Sequence, residues 1–262
     1  MDPSFRHLKA FGQHFLKSDA VAAEIVAALE TGEPVSSILE IGPGLGILSR
    51  HLLKKKETIY FSEIDRRIIT FLKEELQVPE AHILEGDFLR THPEIIIPGN
   101  FAVIGNFPYN ISSQIIFRVL EMKEHVPTVV GMFQKEMARR VTATHGNKEY
   151  GVVSVLTQAY YQTEYLMELS PDAFDPPPKV DSAVIRLQRR KAEPACSEKM
   201  LRQVVKAGFN QRRKKLSNAL SGVQGALEPL RLLNFADKRA EQLSVEEFIE
   251  LTTAITQAKK PS

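Results

Sequence analysis

Short apolar runs alternate with longer amphipathic ones through the first half of the chain. SSILEIG (36–42), TIYFSE (58–63), AHILEG (81–86), FAVIGN (101–106) and TVVGMFQ (128–134) are rich in β-branched and aromatic residues and almost continuous in apolar character. That pattern predicts strands buried on both faces. Between them, 18–30 places apolar residues at helical spacing behind a Ser-Asp cap, and 66–76 and 112–121 repeat the helical period. Strands alternating with helices predict an α/β fold with a doubly wound, mostly parallel sheet, whose ligands bind at the carboxyl ends of the strands.

Further along, 152–165 and 181–188 are again β-rich and flank the cluster Phe174-Asp175-Pro176-Pro177-Pro178. With no helical pattern between them, they predict an antiparallel edge. From about residue 192 the chain turns helical and basic, ending in the amphipathic SVEEFIELTTAITQA (244–258). Two domains are expected: 1–191, carrying the sheet, and a small α-helical domain over 192–262.

Composition narrows the class. The 262 residues are 43% hydrophobic and 25% charged, ordinary for a soluble globular chain. No apolar run approaches the ~20 residues that cross a bilayer, so no membrane partner is expected. The first residues lack the apolar core and cleavage site of an export signal, and the single cysteine, Cys196, has no intramolecular disulfide partner. Both suit a cytoplasmic protein, and nothing demands more than a monomer. The net charge of +2 conceals an asymmetry: 186–215 holds eleven Lys or Arg against Glu193 and Glu198, a local +9 that leaves −7 on the remainder. A basic segment on an acidic body points to a polyanionic partner. Its candidate phosphate contacts are Arg186, Arg189, Arg190 and Lys191, then Arg212, Arg213, Lys214 and Lys215, which are expected to open a later helix. Lys54-Lys55-Lys56 reads as a solvated helix C-terminus.

The chemistry gathers at strand ends. Glu40-Ile41-Gly42-Pro43-Gly44-Leu45-Gly46 joins the first strand to a helix, and glycines such as Gly42 and Gly44 let the backbone turn tightly and approach a ligand. Glu63 ends the second strand about 20 residues later, placed to accept from ribose hydroxyls. Asp87 follows the third strand, placed to accept from an adenine amine with Phe88 beside the ring. The glycine spacing is one residue tighter than the pyrophosphate-binding pattern, and Glu40 disfavours phosphate while suiting a cation. S-adenosylmethionine therefore fits better than NAD.

Asn106-Phe107-Pro108-Tyr109 ends the fourth strand, on the same rim. The exocyclic nitrogen of adenine shares its lone pair with the ring and is a poor nucleophile. An Asn side-chain carbonyl and a backbone carbonyl at the proline can accept from that amine, align it and stabilise the charge it gains. Tyr109 can stack on a base flipped out of its helix.

These residues carry a resemblance that spans nearly the whole chain. FGQHFL (11–16), EIGPGLG (40–46), SEID (62–65), GDFL (86–89), NFPYNIS (106–112), QKEMARR (134–140), YGVVSVLTQAYY (150–161), FDPPPKVDSAVIRL (174–187) and FNQRRKKLSNAL (209–220) together resemble the small-subunit ribosomal RNA adenine N6,N6-dimethyltransferases. The resemblance implies a Rossmann-like class I methyltransferase. It would use S-adenosylmethionine to dimethylate two adjacent adenosines near the 3′ end of 16S rRNA, on a small-subunit precursor. It further implies that His14 and Leu16 help form the cofactor pocket and that Gly42 meets the methionine part. Glu63 would take the ribose, Asp87 with Phe88 the adenine, and Asn106 both cofactor and target amine. Tyr109 and Phe174 would stack on the target base. The chain departs from the family pattern at His14, where Asn is usual, and at Phe107, where Leu is commoner and a larger ring threatens to narrow the pocket. A macrolide-resistance methylase acting on large-subunit rRNA, and an assembly or transcription factor that keeps the fold without activity, remain as alternatives.

Overall fold

In the computed structural model, residues 14–31 and 33–258 are described. Residues 11–13 of the FGQHFL motif lie outside them. Among the described residues nine strands form: β1 (Phe15–Leu16), β2 (Ser37–Ile41), β3 (Thr58–Glu63), β4 (Ile83–Glu85), β5 (Phe101–Asn106), β6 (Thr128–Gln134), β7 (Tyr161–Leu169), β8 (Phe174–Asp175) and β9 (Ser182–Arg189). Seven of them make one sheet in the order β4-β3-β2-β5-β6-β9-β7. The pairs β2–β3, β3–β4, β2–β5 and β5–β6 are parallel, and β9 runs antiparallel to β6 with Gln134 opposite Ser182. β1 and β8 form a separate two-stranded ribbon, Leu16 opposite Phe174.

The chain steps outward from β2 through β3 to β4, then returns to β5 on the other side of β2. That reversal opens a crevice beyond the carboxyl ends of β2 and β5, the place where doubly wound sheets bind ligands. Every residue of β2 is buried, Ser37 and Glu40 included, as a strand covered on both faces requires. Ile38, Phe61, Ile104, Val130 and Met132 are among the buried residues of the core.

Helices α1 (Asp19–Ala27), α2 (Ser49–Leu52), α3 (Arg66–Glu74), α4 (Pro93–Ile96), α5 (Ser112–Glu121) and α6 (Lys135–Thr142) accompany the parallel strands. Their starts are chemically specified. Ser18 accepts from the Val21 N–H to cap α1, and Asp65 from the Arg67 N–H to cap α3. The expected parallel core and its antiparallel edge are thus observed.

The helical elements that follow are α7 (Val152–Tyr160), α8 (Glu198–Asn210), α9 (Leu216–Ala219), α10 (Leu227–Leu232) and α11 (Val245–Ala258). The chain divides into two compact units, one running through Ala138 and resuming over Glu164–Arg189, the other comprising Arg139–Thr163 and the chain from Arg190. Two expectations are corrected here. The run 152–165 is not one strand, because 152–160 forms α7 and only Tyr161 onward is strand. The boundary at 191 also leaves out 139–163, which belong with the C-terminal helices. The reason is tertiary: α7 packs on α8 and α11, burying Val155, Leu156, Ala159 and Tyr160 at helical spacing. Burial of that face overrides the β preference of its valines. Among the described residues no helix is long and apolar enough to cross a membrane.

Candidate active site

A cavity of about 530 Å³ opens in the first unit, walled by the β1 segment, the loops after β2, β3 and β4, and the turn after β5. Its size suits a nucleoside-sized ligand. Gly42 turns at φ +66°, and a Cβ placed there would meet no protein atom within 4 Å. At Gly44, φ +54°, a Cβ would strike the Phe15 ring at 2.9 Å. The loop is thus a bare backbone cradle, held to the sheet by the Gly42 N–H donating to the Ser62 carbonyl at 3.0 Å.

Two buried carboxyls line the wall. Glu40 accepts from the Ser49 hydroxyl at 2.7 Å, and burial pushes its carboxyl up to about 8. Glu63 is also raised by burial, an effect opposed by hydrogen bonds from the Asp65 and Ile64 amides. Both amides bind Oε1, at 2.8 Å each. Oε2 then accepts from no donor among the described residues, and a diol can use it. Asp87 ties Oδ1 to the Leu89 N–H at 3.0 Å, which fixes the carboxylate at the mouth of the loop after β4.

At the end of β5, the Asn106 Nδ2 donates to the backbone carbonyl of His14 at 2.7 Å. A carbonyl only accepts, so this bond fixes which way the amide faces. Oδ1 finds no donor among the described residues and remains an acceptor in the cavity wall. The Pro108 carbonyl accepts from the Ile111 N–H at 3.2 Å and keeps a second lone pair. Tyr109 is tethered at its tip, its hydroxyl sharing a 2.6 Å hydrogen bond with the Ser182 hydroxyl. Its ring stacks on His14 with centroids 5.4 Å apart and planes at 25°.

The Phe107 side chain is buried against the sheet. Its ring lies edge-on to Phe133 at 5.0 Å, over Gly105 and Gly131, where a Cβ would come within 2.8 Å and 2.3 Å of the Phe107 ring. Two glycines therefore make the space that a ring in place of Leu requires.

The cavity brings together His14, Leu16, Gly42, Gly44, Glu63, Asp87, Asn106, Pro108 and Tyr109. It does not include Phe88 or Phe174. Phe88 is 4% exposed and packed inward. Phe174 is 1% exposed because pairing of β8 with β1 carries its ring into the core, so as placed it stacks on no base. Two of the basic candidates are likewise corrected. The Arg186 side chain, 13% exposed, pairs with Glu164 and donates to the Ala28 carbonyl. Arg189 donates to the carbonyls of Lys123 and Glu124. Both hold the fold and offer little to a phosphate. In the second unit, Arg190 donates to the Gln158 carbonyl, Arg212 pairs with Glu241 at 2.7 Å and Lys215 with Asp237 at 2.7 Å. Arg213 and Lys214 do not open a helix but are exposed in the turn between α8 and α9, their side chains without a partner among the described residues. Sequence reasoning missed Ile64, half-exposed beside Glu63 in the wall. An apolar residue directly after a strand-ending acid was the available signal. It also missed Ser182, which no local pattern connects to Tyr109.

A sequence profile described as ribosomal RNA adenine dimethylase matches residues 4–257. The chain belongs to the ribosomal RNA adenine dimethylase family. Among curated relatives of the dimethylase, ribosomal RNA small subunit methyltransferase A of Bacteroides thetaiotaomicron is 46% identical over 254 residues, covering 96% of this chain and 95% of the relative. The protein of the same name from Cytophaga hutchinsonii is 47% identical over 252 residues, covering 95% and 96%. The dimethylase is also similar to the solved 23S rRNA methyltransferase ErmE, at TM-score 0.71 and 26% identity over 93% of this chain and all of the other. A dimethyladenosine transferase from Plasmodium falciparum shares the fold at TM-score 0.83 and 23% identity, covering 94% and 98%. The dimethylase is thus a Rossmann-like class I methyltransferase that uses S-adenosylmethionine.

Proposed function

We propose that this dimethylase methylates N6 of two adjacent adenosines near the 3′ end of small-subunit ribosomal RNA, in a small-subunit precursor in the cytoplasm. The observation that carries this reading is the Asn106 amide, turned by the His14 carbonyl so that its own oxygen is left for an amine, on the rim that also bears Gly42, Glu63 and Asp87.

The residues present fit S-adenosylmethionine. The Gly42 cradle admits a main-chain approach, Glu63 keeps one carboxylate oxygen for a ribose, and Asp87 stands beyond it for an adenine amine. Burial holds the Glu40 carboxyl in the wall protonated near neutral pH; a cation beside it would favour its charged form, and it offers a pyrophosphate no positive partner. When bound, the cofactor supplies an electrophilic methyl on a sulfonium.

The chain's own residues act on the nucleophile. Asn106 Oδ1 and the remaining lone pair of the Pro108 carbonyl accept the N6 hydrogens, hold the nitrogen in line and stabilise the positive charge it gains as it pyramidalises. After one transfer a single hydrogen remains, and one acceptor still orients it, which permits a second. Tyr109, tethered to Ser182, offers a ring face for the everted base. No general base is required beforehand, because the nitrogen becomes acidic only after transfer. The exposed side chains of Arg213 and Lys214 support a contact with RNA phosphates, which gives affinity without sequence readout. The ion pairs of Arg212 and Lys215 are at least partly solvated, and such pairs are worth little, so phosphates can compete for them.

Incubating purified small and large subunits separately with S-adenosylmethionine carrying a tritiated methyl tests this reading. Label in N6,N6-dimethyladenosine of the small subunit is expected. Label confined to the large subunit would overturn it in favour of the ErmE-like alternative.

A further inference from the structure

We propose that His14 is a positioning residue for methyl transfer, holding the Tyr109 ring and the Asn106 amide in register with each other. Three contacts converge on it. Its ring Nδ1 lies 2.8 Å from the Pro176 carbonyl; a carbonyl accepts only, so Nδ1 carries the proton and the ring is pinned in one orientation. The pinned ring stacks on Tyr109. Its backbone carbonyl takes the Asn106 Nδ2 hydrogen. The residue that sets the amide's direction therefore also backs the aromatic platform.

The consequence for the target base is directional. His14 covers one face of the Tyr109 ring and Ser182 holds its tip, so an everted base stacks on the opposite face. Loss of the His14 ring frees Tyr109 to pivot about its hydroxyl tether, while loss of the Pro176 bond loosens the backbone whose carbonyl orients Asn106. Both errors misplace the nucleophile without touching the Gly42, Glu63 or Asp87 contacts. This inference rests on the functional reading above, since it adds a target-side role to a residue that also lines the cofactor cavity.

Three variants separate the contributions: His14→Ala removes ring and anchor, His14→Phe keeps a ring without the Nδ1 donor, and His14→Asn keeps a donor without a ring. The assay is methyl transfer to purified small subunits, with cofactor affinity measured independently by titration calorimetry with S-adenosylmethionine. For His14→Ala, kcat at saturating S-adenosylmethionine, set from the measured Kd, is expected to fall at least about tenfold, in the range that small misplacements of reacting groups cost. His14→Phe and His14→Asn are expected to fall between wild type and His14→Ala. A kcat in His14→Ala that returns to wild type once cofactor is saturating, or a His14→Phe variant no better than His14→Ala, would overturn the proposal. A wild-type protein that methylates neither subunit would instead overturn the functional reading, and the role of His14 with it.

Discussion

Replacing Gly131 with Ala probes how the sheet supports the Asn106 turn. A Cβ at Gly131 would lie 2.3 Å from the Phe107 ring and 2.6 Å from that of Phe133. Carbon atoms in contact normally sit about 3.5–4.0 Å apart, so the Phe107 ring must retreat by more than about 1 Å. The other edge of the ring lies so close over Gly105 that a Cβ there would come within 2.8 Å, so a retreat from Gly131 presses the ring onto the β5 backbone. Overpacking of this kind costs about 1–3 kcal/mol. In a chain of this size that lowers Tm by about 2–4 °C per kcal/mol. Because Phe107 lies between Asn106 and Pro108, the same displacement moves both acceptors, and kcat should fall by up to about a hundredfold while cofactor Kd changes little. Adding Phe107→Leu should relieve the clash and recover stability and turnover together, a coupling that a double-mutant cycle reads directly. Wild-type Tm and kcat in Gly131→Ala, or a double variant no better than the single, would refute the reasoning.

Other expectations follow from the same geometry. Burial raises the Glu40 carboxyl from its ordinary value to about 8, so its contribution to stability is fully present below about pH 4.5 and is lost as pH rises toward 8. Glu40→Gln should flatten the dependence of Tm on pH in that window, and identical slopes in variant and wild type by thermal scanning would contradict it. Glu63→Ala removes the oxygen left for a ribose and should weaken cofactor binding about tenfold or more by calorimetry, a loss typical of a hydrogen bond to a charged group. Arg186→Ala should lower Tm while leaving RNA affinity unchanged, because its partners are Glu164 and the Ala28 carbonyl. Arg213→Ala with Lys214→Ala should do the reverse, reducing the salt slope of RNA binding by about two.

What the sequence reveals and conceals follows from the range of the interactions. The five parallel strands and the glycine loop were legible because their signals are local: continuous apolar runs such as FAVIGN, and a Gly-rich turn directly after one of them. The helix at 152–160 was not, because its valines favour strand and only packing against α8 and α11, distant in sequence, makes it helical. The rim residues Gly42, Glu63, Asp87 and Asn106 could be read from their places at strand ends. The inward rings of Phe88 and Phe174 could not, since which way a ring turns depends on β1–β8 pairing and core packing. Arg186 and Arg189 looked like RNA contacts in a basic run, yet their partners, Glu164 and the carbonyls of Ala28, Lys123 and Glu124, lie far off in the chain. The effect of Phe107 likewise depended on Gly131, which only the neighbouring strand brings beneath it.

Asn106→Ala bears most directly on the mechanism. Methyl transfer to purified small subunits and binding of the same subunits should be measured side by side on the variant and the wild type. Loss of an acceptor that acts as charge develops is expected to lower kcat by about 10²–10³, with subunit affinity within about threefold. Turnover equal to wild type, or a fall in binding as large as the fall in turnover, would contradict the account.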